Sequence, residues 1–170
     1  MTNPANLTVS TSGERNIVMT RLFHAPRHLV FDAMTQPELM LRWFSGPPGW
    51  TMVVCDMDLR VGGAYRYVWR SPKGIEMGMG GVIRELIIPE RMVQTEKFDE
   101  SWYEGEAVGT LELSEVGEKT LLTLTMEYDS QQTRDAILKT PMDQGVAECY
   151  NNLAALLTAL YGSKGSKDND

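Results

Sequence analysis

The feature that most constrains this chain lies near its C-terminus. Met142, Val146, Cys149, Tyr150, Leu153, Leu156, Leu157 and Leu160 recur at helical spacing down to Tyr161. Gln144, Glu148, Asn151 and Asn152 fall mostly on the opposite side. Thr140-Pro141-Met142-Asp143 resembles a capping box with proline at the first helical position, and Gly162 is a fitting stop. Such a helix of about 20 residues is roughly 30 Å long. Strands of eight or nine residues are about as long. A stripe of that length therefore needs a sheet to bury it.

The chain supplies one. From Trp50 to Tyr128 the pattern is strand after strand, predicted over 50–59, 64–71, 75–87, 91–98, 105–114 and 119–128. Gly62-Gly63, Pro72-Lys73-Gly74, Pro89-Glu90 and Gly117-Glu118-Lys119 are the turns between them. Such short connections imply an antiparallel meander. An earlier strand, Asn16–His24, precedes two short helices, the first opened by Pro26 and the second running Pro37–Phe44. Ser130 caps a further short helix before the long one. The expected architecture is α+β: a curved antiparallel sheet of about seven strands wrapped around the C-terminal helix. Residues 1–14 read as a disordered polar leader, 15–161 as one domain and 162–170 as a disordered polar tail.

Side chains alternate across a strand, so the charged positions assign each inner face. Asp56 and Asp58 outward leave Val53, Cys55 and Met57 inward; Arg66 and Arg70 outward leave Tyr65, Tyr67 and Trp69 inward. Glu76 and Arg84 outward leave Met77, Met79, Gly81 and Ile83 inward. On the remaining strands the inner set includes Ala107, Gly109 and Leu111, then Leu122, Leu124 and Met126. Strand 91–98 is the exception. Arg91 and Lys97 outward turn Met92, Gln94, Glu96 and Phe98 inward. An inward glutamate must be hydrogen-bonded, paired or protonated. It is read either as a register shift, a bulge or a rim residue paired with an arginine, or as a polar anchor inside a cavity. Gly81, Ala107 and Gly109 opposite large rings leave room, which helix side chains fill or a ligand occupies.

Several functions are excluded or disfavoured. A net charge of −7 without a Lys/Arg cluster argues against nucleic-acid and anionic-membrane binding. No apolar run approaches the roughly 20 residues of a membrane span, and the N-terminus does not resemble a secretory signal. Cys55 and Cys149 follow no metal or redox spacing and read as reduced thiols in a cytoplasmic protein. No phosphate-binding loop or nucleophile elbow is present. His24 and His28 flank Pro26 and read as surface residues, so no metal and no cofactor is expected.

Four segments in order, RLFHAPRHLVFDAMTQPELMLRWFSGPPG, DMDLRVGGAYRYVWRSPKG, PERMVQTEKF and GVAECYNNLAALL, resemble the Hsp-90 ATPase activator homologue family of the START-like (SRPBCC) superfamily. The resemblance spans roughly residues 15–160. It implies the helix-grip fold, a hydrophobic cavity between sheet and C-terminal helix, and two kinds of partner: a small hydrophobic or aromatic molecule, or a chaperone.

Binding of a small hydrophobic ligand ranks first. Trp43, Tyr65, Tyr67, Trp69, Phe98 and Tyr150 would supply contact area, with Cys55, Met77 and Met79 beside them on the strands. Val146 and Leu153 would close the site from the helix, and Gln94 and Glu96 would orient the ligand. A protein-interaction module ranks second, favoured if Phe44, Pro47-Pro48 or Trp50 is exposed. Catalysis ranks third, with Glu96 as its weak candidate residue.

Overall fold

A computed structural model of the chain describes residues 6–167, with side chains described for 6–161. Eight strands form one antiparallel sheet: β1 (Thr8–Ser12), β2 (Asn16–Phe23), β3 (Thr51–Met57), β4 (Ala64–Arg70), β5 (Glu76–Ile87), β6 (Arg91–Phe98), β7 (Ala107–Val116) and β8 (Lys119–Glu127). Their spatial order is β1-β2-β8-β7-β6-β5-β4-β3. The six strands from β3 to β8 follow one another along the sheet, as their short turns require. Helices α1 (Arg27–Thr35) and α2 (Pro37–Trp43) carry the chain from β2 across to β3 at the far edge. Two more helices follow β8: α3 (Gln131–Leu138) and α4 (Met142–Lys167). This is the expected α+β helix-grip architecture with one strand more.

That extra strand lies in the segment expected to be a disordered leader. Thr8–Ser12 is polar, but it pairs with Asn16–Thr20 from Thr8↔Thr20 to Ser12↔Asn16. The pairing is carried by backbone hydrogen bonds, which side-chain polarity does not report. Residues 1–5 and 168–170, the rest of that leader and the end of the expected tail, lie outside the described residues. At the other end Gly162 does not stop the helix, whose backbone runs on to Lys167.

Local chemistry sets the helix ends. Gln36 separates α1 from α2, since Pro37 disfavours helical geometry in the residue before it. The Ser130 hydroxyl accepts from the Thr133 amide at 3.1 Å and so caps α3. Thr140 does not act as the N-cap expected from sequence. Its hydroxyl donates to the Ile137 carbonyl at 2.6 Å, closing α3 instead.

The main core lies between the inner face and the later turns of α4's stripe. Cys149, Tyr150, Leu153, Leu156 and Leu157 pack there with Phe23, Ile83, Met92, Leu111, Leu113 and Leu122. Helix α1 adds Leu29, Val30, Phe31 and Ala33, and α2 adds Trp43. Two smaller clusters flank it. One gathers Tyr65, Tyr67, Trp69 and Met79 with Met40 and Met52. The other gathers Ile17, Met19, Ala107, Met126 and Tyr128.

Candidate functional site

Strand β4 builds the first wall. Its alternation turns Tyr65, Tyr67 and Trp69 inward, each 3% exposed. Ring centroids are 4.9 Å apart for Tyr65–Tyr67 and 5.9 Å for Tyr67–Trp69. Phe44, at the end of α2, meets Tyr67 and Trp69 edge-on at 5.7 and 5.2 Å. Trp69 Nε1 donates to the Phe44 carbonyl at 2.8 Å. Gly46 follows at φ +75°, where a Cβ would stand 2.9 Å from the Trp69 ring. The Gly46 carbonyl accepts from Cys149 Sγ at 3.7 Å. The Phe44–Gly46 turn thus wedges β4's rings against α4. Phe44 and Trp50 are part of this packing, and of the three features that would favour an interaction surface there only the proline pair is exposed, at Pro48.

The sulfur-bearing residues line the same wall. Met79 is buried, while Met77, Phe98 and Cys55 are half-buried against the rings. The Cys55 thiol lies 3.7 Å from Met40 Sδ. Burial first, then Asp56, pushes it up to about 11. Burial also raises the Cys149 thiol, and both cysteines are free. Neither is primed as a nucleophile. The expectation for Val53 is overturned. The β3–β4 register shifts between Met52 and Val54, so Met52 turns inward at 8% exposed and Val53 outward at 37%.

Strand β6 brings the polar pair. Gln94 and Glu96 sit opposite Gly109 and Ala107 of β7, so the small residues noted in the sequence make room for the long ones. The Gln94 side chain lies against the Tyr67 hydroxyl and offsets part of the rise that burial gives that phenol. Its carbonyl oxygen Oε1 is buried with no partner. Glu96 is half-buried, and burial raises its carboxyl to about 7. Four phenols feel its charge: Tyr65, Tyr67, Tyr103 and Tyr128. Burial and then Glu96 push Tyr103 up to about 12 and hold Tyr128 higher still. Among the described residues no salt bridge reaches Glu96, so the reading of a rim residue paired with an arginine falls.

The buried Thr95 explains the glycine at Gly81. The β5–β6 register is the same at Met79↔Phe98, Gly80↔Lys97 and Ile83↔Gln94 and shifts only beyond, between Ile83 and Glu85. Between Lys97 and Gln94, Thr95 is buried; its hydroxyl accepts from the Val82 amide at 2.9 Å and its carbonyl from the Tyr65 hydroxyl at 2.5 Å. A Cβ on Gly81 would lie 2.0 Å from that carbonyl oxygen.

The inner face is unevenly buried. On β8, Leu122 is 0% and Met126 5% exposed, yet Leu124 between them is only half-buried. Across from it Val146, in the first turns of α4, is also half-buried. Gln94 and Glu96 share that condition, so the half-exposed inner residues group under the start of α4. Trp43, Tyr150 and Leu153 do not join them. Trp43 Nε1 donates to the Ala33 carbonyl at 2.7 Å, and Tyr150 and Leu153 fill the main core. Sequence reasoning missed Tyr103 and Tyr128, whose rings meet edge-on at 5.9 Å. Tyr128 continues the parity of Leu122, Leu124 and Met126 and was within reach of the alternation argument. Tyr103 stands in the β6–β7 loop, where no periodicity speaks.

His24 and His28 are both exposed, and no group of metal-ligating side chains occurs among the described residues. No helix among them is long and apolar enough to cross a membrane.

A curved antiparallel sheet gripping a C-terminal helix, with rings and a lone acid on its inner face, defines a START-like helix-grip protein. The family described as activator of Hsp90 ATPase homolog 1-like protein matches residues 24–158, and the chain belongs to it. A Rhodobacter sphaeroides protein of known structure is 28% identical, with 91% of this chain and 99% of that one covered and a TM-score of 0.86. A Chromobacterium violaceum protein is 29% identical over 84% of this chain and 96% of its own, with a TM-score of 0.72. A Staphylococcus epidermidis protein is similar at 25% identity, 89% and 94% coverage and a TM-score of 0.78. No curated protein matches the chain.

Proposed function

We propose that this protein binds a small, largely apolar molecule, aromatic in part, between the sheet and the first turns of α4. The observation that carries the reading is Gln94 Oε1, a buried acceptor without a partner beside the half-buried Glu96. A buried acceptor without a donor costs about 1–3 kcal/mol, a cost that a ligand donor would remove. The Tyr65, Tyr67 and Trp69 wall offers flat apolar contact, and Glu96 offers a second polar contact at the far side. The ligand that fits is therefore a ring system bearing a hydroxyl or amine. A panel of phenols, indoles and aliphatic alcohols, followed by tryptophan fluorescence and melting temperature, tests this. Ring-bearing donors should quench and stabilise, and Gln94→Leu should abolish the preference for a donor over its methyl ether. A panel that moves neither signal overturns the reading.

The co-chaperone reading draws on Trp102, which is 62% exposed in the β6–β7 loop. A pull-down with the cognate Hsp90-like protein that Trp102→Ala abolishes would favour it. The catalytic reading keeps Glu96 as its acid/base; turnover of an apolar carbonyl compound lost in Glu96→Gln would favour that one.

A further inference from the structure

A second buried charge lies at the other end of the inner face. Two arginines are buried among the described residues. Arg134 has Asp135 at 2.8 Å and the carbonyls of Gly13 and Asn16 as acceptors. Arg21, 9% exposed, has no carboxylate partner among the described residues. Its Nη1 donates to Asn151 Oδ1 at 2.7 Å, its Cζ lies 5.1 Å from the centroid of the Phe23 ring, and its Nε is buried without an acceptor. A guanidinium carries five N–H donors and stays charged. Among the described residues a single hydrogen bond answers it.

This arginine lines a cleft of about 90 Å³ between β2 and the later turns of α4, together with His24, Ala154, Leu157 and Thr158. Among the described residues the β1–β2 pairing ends at Thr8↔Thr20, just before Arg21. Among the described residues no acidic side chain lines the cleft. Its walls join a cation without a carboxylate among those residues to aliphatic surface from Ala154 and Leu157. Asn151 and the Phe23 ring hold the guanidinium plane in place before any ligand arrives.

We infer that this cleft is a binding site for a short-chain carboxylate, with the carboxylate on the guanidinium of Arg21 and the alkyl tail on Ala154 and Leu157. Planar carboxylates match the guanidinium fork, and the apolar walls favour an alkyl carboxylate over a heavily hydrated phosphate. This site is separate from the one between Gln94 and Glu96 and does not depend on it.

Titration of the ¹⁵N-labelled full chain with butyrate, phosphate or chloride at constant ionic strength tests the assignment. Butyrate should shift the Arg21 Nε–H and the Thr158 amide resonances saturably, and chloride should not. Arg21→Gln should weaken the response at least about tenfold, the loss of one charge-assisted contact. Thr158→Met, which leaves Arg21 in place and crowds the cleft, should weaken it as well and guards against misfolding of the first variant. Equal, non-saturating drifts with butyrate and chloride would overturn the site. So would a butyrate response unchanged in Thr158→Met, and phosphate binding tighter than butyrate would overturn the carboxylate assignment.

Discussion

Leu122 and Leu124 stand two residues apart on the same face of the same strand, and they live in different surroundings. Leu122 is fully buried under the later turns of α4, where Cys149, Tyr150, Leu153 and Leu157 interlock with it. Leu124 lies toward the helix start, opposite half-buried Val146, and keeps part of its surface in solvent. One helix and one sheet thus bury some facing residues completely and leave others part-exposed. Large apolar residues meet one another around Leu122, whereas Gly109 and Ala107 pair with the polar residues Gln94 and Glu96 on the part-exposed side.

The largest expected effect breaks that comparison directly. Leu122→Ala should cost about 3–5 kcal/mol, because the cavity it leaves cannot collapse. Leu124→Ala should cost about half as much or less, since part of that side chain never left water. Urea midpoints of the two variants decide it. Equal losses would mean that the two halves are packed alike, and the proposed ligand space would lose its main physical support.

The second prediction concerns charge. Burial raises the Glu96 carboxyl from 4.5 to about 7. Between those values the folded state holds a proton that the unfolded state has released, so stability falls as pH rises through this window and levels off above it. The full span is at most about 3 kcal/mol. Glu96→Gln should flatten this slope and melt higher than the parent at pH 8. A wild-type melting temperature that does not fall between pH 5 and 7 would place the carboxyl in water rather than among the four tyrosines.

How much of this contrast was legible depends on what carries it. The inner faces of β4, β5 and β7 follow from alternation, because every charged outward residue fixes its neighbours. Gln94 and Glu96 were placed inward by the same parity, against the usual exposure of such residues. Val53 failed because a single extra residue in β3 reverses parity without leaving a mark in composition. Strand β1 was hidden because Thr8–Ser12 is held by its backbone. The grouping of half-buried residues could not be read at all. Burial depends on many side chains from distant segments at once, and no local pattern sums them. Arg21 was visible as a strand residue, but that no acidic side chain among the described residues pairs with it appears only in the fold.

The smallest expected effect tests the join between the two regions. Tyr65 stands in the aromatic wall, yet its hydroxyl donates to the carbonyl of Thr95, the residue before Glu96. Tyr65→Phe keeps the ring and removes that bond, which should cost about 1 kcal/mol. If the bond only contributes stability, the pH slope assigned to Glu96 stays as it was and only the melting temperature drops. If it also holds the β6 backbone that aims Glu96 inward, its loss gives the carboxyl access to water. The drop in stability between pH 4.5 and 7 then shrinks along with it. Melting curves of Tyr65→Phe at pH 5 and pH 8 separate the two outcomes. The second is the one expected, because Gly81 has no side chain to brace Thr95 from the β5 side and the Tyr65 hydroxyl is the group that reaches its carbonyl.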